Sequence, residues 1–170
     1  MKDEQGFALL ETVVAVAAAA CLAAAIAPGI LKFYRETALE YESECLLADL
    51  RRTQSLSRMV AEQGWMYGQE EPNEQKAQIH VEGTYYAFRV KSQAGIVENV
   101  HHYLPLIHVK RKDKSESSGS GIIAFRQNGS LEDIGTDMMT LVMYCDGWED
   151  EGRKIMISRA GRMRMKRMMR

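Results

Sequence analysis

Two groups of residues in this 170-residue chain have the types and spacing to do chemistry. The first is Glu11, the sole charge between Gly6 and Lys32, inside the run FALLETVVAVAAAACLAAAIAPGIL. A carboxylate within a membrane-length apolar run costs about 2.5–3.5 kcal/mol on insertion scales, so it implies a function and a partner. The second group lies in the stretch Arg159 to Arg170, which holds six cations (Arg159, Arg162, Arg164, Lys166, Arg167 and Arg170) and no acid. The chain as a whole carries −1, so the remainder carries −7. A basic tail on an acidic body points to an anionic partner. If residues 161–167 are extended, Arg162, Arg164 and Lys166 share a face at about 6.5–7 Å spacing. That spacing suits the phosphates of a nucleic-acid strand, and arginine adds bidentate contacts to phosphate oxygens. If the stretch is helical, Arg162, Lys166 and Arg170 align instead. Met163, Met165, Met168 and Met169 supply an apolar counterpart in either geometry. The competing readings are a solvated tail, or one that pairs with acidic neighbours.

Other candidates are weaker. The sequence holds no G-x-S-x-G, P-loop, H-E-x-x-H or C-x-x-C motif, so no enzymatic activity and no cofactor are expected. His101 and His102 are adjacent and would face opposite ways on a strand, so a metal site with His80 and His108 is not expected. Asp146, Glu149, Asp150 and Glu151 offer clustered oxygens but not the spacing of a calcium loop, and read as a solvated turn. Cys21 falls in the apolar run as a small hydrophobe, and Cys45 and Cys145 leave a single disulfide open.

The elements that must position these groups follow from periodicity. Residues 1–6 precede the apolar run. Residues 7–31 form a helix of about 38 Å, enough to cross a bilayer of about 30 Å, with Pro28 and Gly29 near one end. Residues 32–63 continue it, since no Pro or Gly occurs from Ile30 to Gln63. There Leu39, Leu46, Leu50, Thr53, Ser57 and Val60 mark one helical face. Gly64 to Gln75 reads as a loop, and the region 64–158 is β-rich. Gln78–Val81 and Thr84–Lys91 flank a tight turn at Glu82-Gly83. Val100–Val109 is extended but interrupted by Pro105. Lys110–Ser120 reads as a surface loop, Gly121–Arg126 as a strand, and Asn128-Gly129 as a turn. Thr140–Cys145 and Lys154–Ser158 complete five or six strands, with an acidic turn at Asp146–Gly152 between them. Residues 159–170 form the basic tail. One long helix followed by strands predicts an α+β fold, with the helix packed on an antiparallel sheet domain.

Gly6, Phe7 and Glu11, as G-F-A-L-L-E, resemble the processing site of the type IV prepilins. The resemblance implies cleavage after Gly6 by a prepilin peptidase and N-methylation of Phe7. It also implies that Glu11 neutralises the terminal amine of a neighbouring subunit during filament assembly. Pro28 falls where pilins commonly carry a proline. The segment LRRTQSLSR, Leu50 to Arg58, is similar to the helix segment of the GspH/FimT-type minor pseudopilins. Ile123 to Ser130 is similar to their F-x-x-x-G-S strand and turn, and Ile157 to Arg164 to their closing strand. Thr53 and Ser57 depart from the usual alanines, and the leader is poor in lysine. In some members a G-R-x-R motif is associated with DNA binding during natural transformation, and Gly161, Arg162, Met163 and Arg164 match it. Arg162, Arg164, Lys166 and Arg167 are therefore the candidate DNA-binding residues.

The implied protein is a single-pass subunit of the inner membrane with its soluble domain outside the cytoplasm. Its partners would be other pilin or pseudopilin subunits, the peptidase and double-stranded DNA. The flanking charges, Lys2 with Asp3 and Glu4 against Lys32 and Arg35, do not themselves favour that orientation. A type II secretion pseudopilin without a DNA role is one alternative. An anchored extracytoplasmic enzyme or binding module is another. A plain secretory signal peptide cleaved before Pro28 is opposed by the carboxylate in its apolar region.

Overall fold

The computed structural model describes residues 2–66, 77–92, 95–112, 121–132 and 138–168. The side chains of Gly6, Phe7 and Val60, most of the Gly64–Gln75 loop and residues 113–120 lie outside that description. The chain divides into two compact units, Met1–Thr37 and Ala38–Arg170.

In the first unit the chain is helical throughout its described length, as the opening part of helix α1, Lys2–Met66. Pro28 is accommodated within the helix. The side chains from Leu10 to Tyr34 are exposed, including Val13, Val16, Leu22 and Ile26. This part of α1 is long and apolar enough to cross a membrane. A helix segment this apolar, with its described side chains exposed, needs lipid or other helices as its surroundings.

The second unit is α+β. Eight strands follow the helix: β1 Ala77–Val81, β2 Tyr85–Ser92, β3 Gly95–His102, β4 Ile107–Arg111, β5 Gly121–Ala124, β6 Met138–Cys145, β7 Trp148–Ser158 and β8 Met163–Arg167. They form two antiparallel four-stranded sheets, in the orders β3-β2-β1-β5 and β4-β6-β7-β8. The stretch Val100–Val109, read from the sequence as one extended segment, is divided between the sheets. β3 ends at His102, and the chain turns through Leu106, whose φ is 75°. The acidic turn is shorter than the sequence implies. Only Asp146 and Gly147 turn; Trp148 already pairs with Cys145, and Glu149–Glu151 lie within β7 at an irregularity in its register with β6, between Trp148 and Arg153.

The face of α1 that packs on the sheets carries Leu39, Leu46, Leu50, Thr53 and Ser57, as the periodicity predicts, together with Ala38, Glu42, Ser43 and Leu47. The leucines join Ile79, Tyr86, Ile107, Ile123, Leu141, Met143, Ile155 and Ile157 in one core. Each fully buried leucine or isoleucine contributes roughly 1.5–3 kcal/mol relative to exposure. Thr53 and Ser57 are tolerated there because each hydroxyl donates to the carbonyl four residues earlier, Asp49 at 2.7 Å and Thr53 at 3.0 Å.

Candidate functional site

The basic stretch is extended. β8 pairs antiparallel with β7, placing Arg164 opposite Met156 and Lys166 opposite Lys154. The choice between helix and strand is made by packing. Met163 and Met165 lie against the core, so the side chains alternating with them, Arg164 and Lys166, point outward. Arg162, just before the strand, is also exposed. Arg167 turns to the face of Met163 and Met165 and has a partner of its own. Lys154 stands directly across from Lys166. Like charges opposed across a ladder are unfavourable, so this face of the sheet gains from an anion. β8 is the outermost strand of its sheet.

Two hairpin turns fix where this strand begins. In the first, the Arg126 amide donates to the Ser130 carbonyl and the Gly129 amide to the Arg126 carbonyl, both at 2.8 Å. In the second, the Ser158 amide donates to the Arg162 carbonyl at 2.9 Å and the Gly161 amide to the Ser158 carbonyl at 2.8 Å. The pattern is the same, and each turn ends in a glycine with φ of 78°. Asn128 Oδ1 closes the first turn by accepting from the Ser130 amide at 2.9 Å and its hydroxyl at 2.6 Å. The Ser158 hydroxyl accepts from the Arg162 amide at 3.1 Å in the second.

The two turns are stacked and fastened to the helix by one side chain. The Leu131 amide donates to the Arg159 carbonyl at 3.0 Å. Gln54 Nε2 donates to the Gly129 carbonyl at 2.6 Å and to the Gly161 carbonyl at 2.9 Å. A Cβ on Gly161 would run into the Gly129 carbonyl oxygen and the Gln54 amide, and one on Gly129 into the Arg58 guanidinium. Three segments that look unrelated in sequence, Leu50–Arg58, Ile123–Ser130 and Ile157–Arg164, thus meet at Gln54. Gln54, Arg58 and Arg126 are not marked as site residues by the sequence, and Arg159 is marked only as part of the basic stretch. The signal present was that Gln54 and Arg58 sit in the LRRTQSLSR segment and that glycines close both turns.

Charge is distributed unevenly. Arg89 pairs with Glu98 at 2.9 Å, Lys110 with Glu149 at 3.2 Å, and the buried Arg153 with Glu40 at 2.9 Å. The histidines also stand against acids: His80 on Glu82 at 3.2 Å, His101 on Glu42 at 2.8 Å and His108 on Asp146 at 3.1 Å. His102 stacks on Tyr85. Among the described residues, no acid pairs with Arg58, Arg126, Arg159, Arg162, Arg164 or Lys166, and no group of three His, Cys, Asp or Glu could hold a metal. No disulfide joins Cys21, Cys45 or Cys145. Glu11 lies in α1 and is exposed, and Gly6 and Phe7 lie in the same helix.

The chain has the fold of the type IV pilins, a long N-terminal helix whose second part packs on antiparallel strands. Two crystal structures of the type IV minor pilin FimU of Pseudomonas aeruginosa PAO1, in space groups P65 and P21, are similar to it, with TM-scores of 0.51 and 0.53. Sequence identity is 20% and 19%, and the similarity covers 75% and 79% of this chain and 92% of FimU in each case. No protein-family model and no curated protein sequence matches the chain.

Proposed function

We propose that this chain is a minor subunit of a type IV filament system and that it contacts double-stranded DNA through Arg162, Arg164 and Lys166. The pilin fold supports a structural subunit rather than an enzyme. G-F-A-L-L-E supports cleavage between Gly6 and Phe7 by a prepilin peptidase, methylation of Phe7, and pairing of Glu11 with the amine of a sibling subunit. The apolar helix holds the subunit in the inner membrane, with the Ala38–Arg170 unit outside the cytoplasm, until the helix moves into the filament. The observation that carries the DNA reading is the face of β8, where cations alternate with methionines anchored in the core and find no acid among the described residues. Arg167, turned to the other side, contributes least. Nothing on this face resembles a base-reading element, so the contacts are to phosphates and binding is salt-dependent with little sequence preference.

Fluorescence anisotropy of a labelled DNA duplex, titrated with the full chain in detergent micelles at several salt concentrations, tests this. The R162Q/R164Q variant should bind about tenfold more weakly at low salt and flatten the log–log salt slope by about 2. No binding by the parent, or unchanged binding by the variant, removes the DNA role. Intact mass of the membrane-extracted protein tests the subunit reading separately: it should start at a methylated Phe7, and a start near Pro28 would remove that reading.

A further inference from the structure

We propose that Arg58, Arg126 and Arg159 form, with Arg162, a second phosphate-binding arm of the same surface, carried by helix α1 and the two stacked turns. The inference rests on the DNA-contact reading above and extends it to residues in three separate chain segments.

The geometry brings these arginines together without neutralising them. The Arg58 guanidinium lies over Gly129, in the space a Cβ there would need. Arg126 opens that same turn and Arg159 lies in the turn stacked on it, tied by the bond from the Leu131 amide to the Arg159 carbonyl. Arg162 closes the second turn. All four side chains are exposed, and none meets an acid among the described residues. The net charge outside residues 159–170 is −7, and Arg89, Lys110 and Arg153 are each answered by an acid. Gathering unanswered cations at one end raises the local potential there and draws anions to it. Guanidinium groups present paired donors that fit phosphate oxygens. The cluster continues into the outward row Arg162, Arg164 and Lys166, so the cations form a track. A track matches a polymer of phosphates better than a single lipid headgroup.

The salt slope separates the two readings. The row Arg162, Arg164 and Lys166 alone neutralises about three phosphates and gives a log–log slope of about −3, whereas six cations give about −5. The titration is made with duplex DNA and the full chain in micelles, on the parent and on R58Q/R126Q/R159Q. The parent should show the steeper slope, and the triple variant should fall to about −3 with an affinity loss of about tenfold at low salt. Because Arg58 touches Gly129, R126Q/R159Q is measured beside it, and thermal melts confirm that both variants fold. The double variant, which removes two cations and not three, should fall to a slope of about −4. A parent slope near −3 with unchanged variants overturns this proposal while leaving the β8 contact standing. A parent that does not bind overturns both. If the triple variant keeps its slope on DNA but no longer binds vesicles containing phosphatidylglycerol, the arginines face a membrane and the proposal is overturned.

Discussion

Glu42 and Gln54 sit twelve residues apart on α1, about 18 Å along the helix axis and a third of a turn round it, and each fastens the helix to two places at once. Glu42 is 1% exposed, takes His101 Nε2 at 2.8 Å with one oxygen and accepts the Leu104 amide at 3.0 Å with the other. It ties the end of β3 and the turn after it to the helix with an acid. Gln54 ties two turns with an uncharged amide. Around Glu42 the charges are consumed internally, as they are at Glu40 with Arg153. Around Gln54 the fastening uses backbone carbonyls and spends no cation, so the arginines there stay available. A neutral clamp is what lets a charged surface face outward.

Five substitutions, in three comparisons, test that contrast in decreasing order of effect. Gly161→Ala attacks the Gln54 end, forcing a side chain into the left-handed region and into the Gly129 carbonyl. The cost should be on the order of 3–5 kcal/mol in denaturant unfolding. Gly147→Ala is its control. Gly147 has a φ of 75° but open space around a Cβ, so only the backbone strain of about 1 kcal/mol applies. If the two glycines cost the same, the stacked turns do not hold the domain.

Glu42→Ala attacks the other end. It leaves the Leu104 amide unsatisfied and should cost about 2–3 kcal/mol, against about 1–2 kcal/mol for Gln54→Ala. Equal losses would mean that the charged and neutral clamps are equivalent.

The smallest effect is expected at Tyr103, whose hydroxyl is buried without a hydrogen-bond partner among the described residues. Burial, and then the nearby Glu42, push its pKa well above the ordinary tyrosine value. Burial and the hydrogen bond to Asp49, 2.6 Å long, do the same to Tyr86. Below pH about 10, the unfolded value, both groups are neutral in the folded and the unfolded chain and carry no ionisation cost. The fold loses stability as pH rises beyond it, where the unfolded chain releases protons first. Tyr103→Phe should be neutral or stabilising by about 1 kcal/mol near neutral pH and should blunt the alkaline loss. Urea melts at pH 7 and pH 11 measure both.

The parts of the fold legible in the sequence were those written in local periodicity or turn chemistry. Leu39, Leu46, Leu50, Thr53 and Ser57 marked the buried helix face, and Glu82-Gly83 and Asn128-Gly129 marked turns that the structure contains. The conformation of residues 163–167 stayed open because methionine and arginine suit helix and strand alike, and only packing of Met163 and Met165 against the core decides. β3 and β4 merged in the sequence because the extended run reads through to Val109, and Pro105 does not say that the chain changes sheets. Glu42 gave no warning of burial, since its partners lie 59 and 62 residues away. Gln54 looked like any surface glutamine, and Arg58 and Arg126 join the basic stretch only once the chain has folded.

The Gln54 clamp spans 75 residues to Gly129 and 107 to Gly161. Contacts so distant along the chain have their loop-closure entropy set against them until most of the domain is in place. The clamp is therefore among the last features to form as the domain folds. Before it closes, Arg58 and Arg126 lie far along the chain from the basic stretch 159–170, which alone is contiguous in sequence. A subunit that has not finished folding offers polyanions only that short stretch, and the wider cationic surface is itself a report that folding is complete.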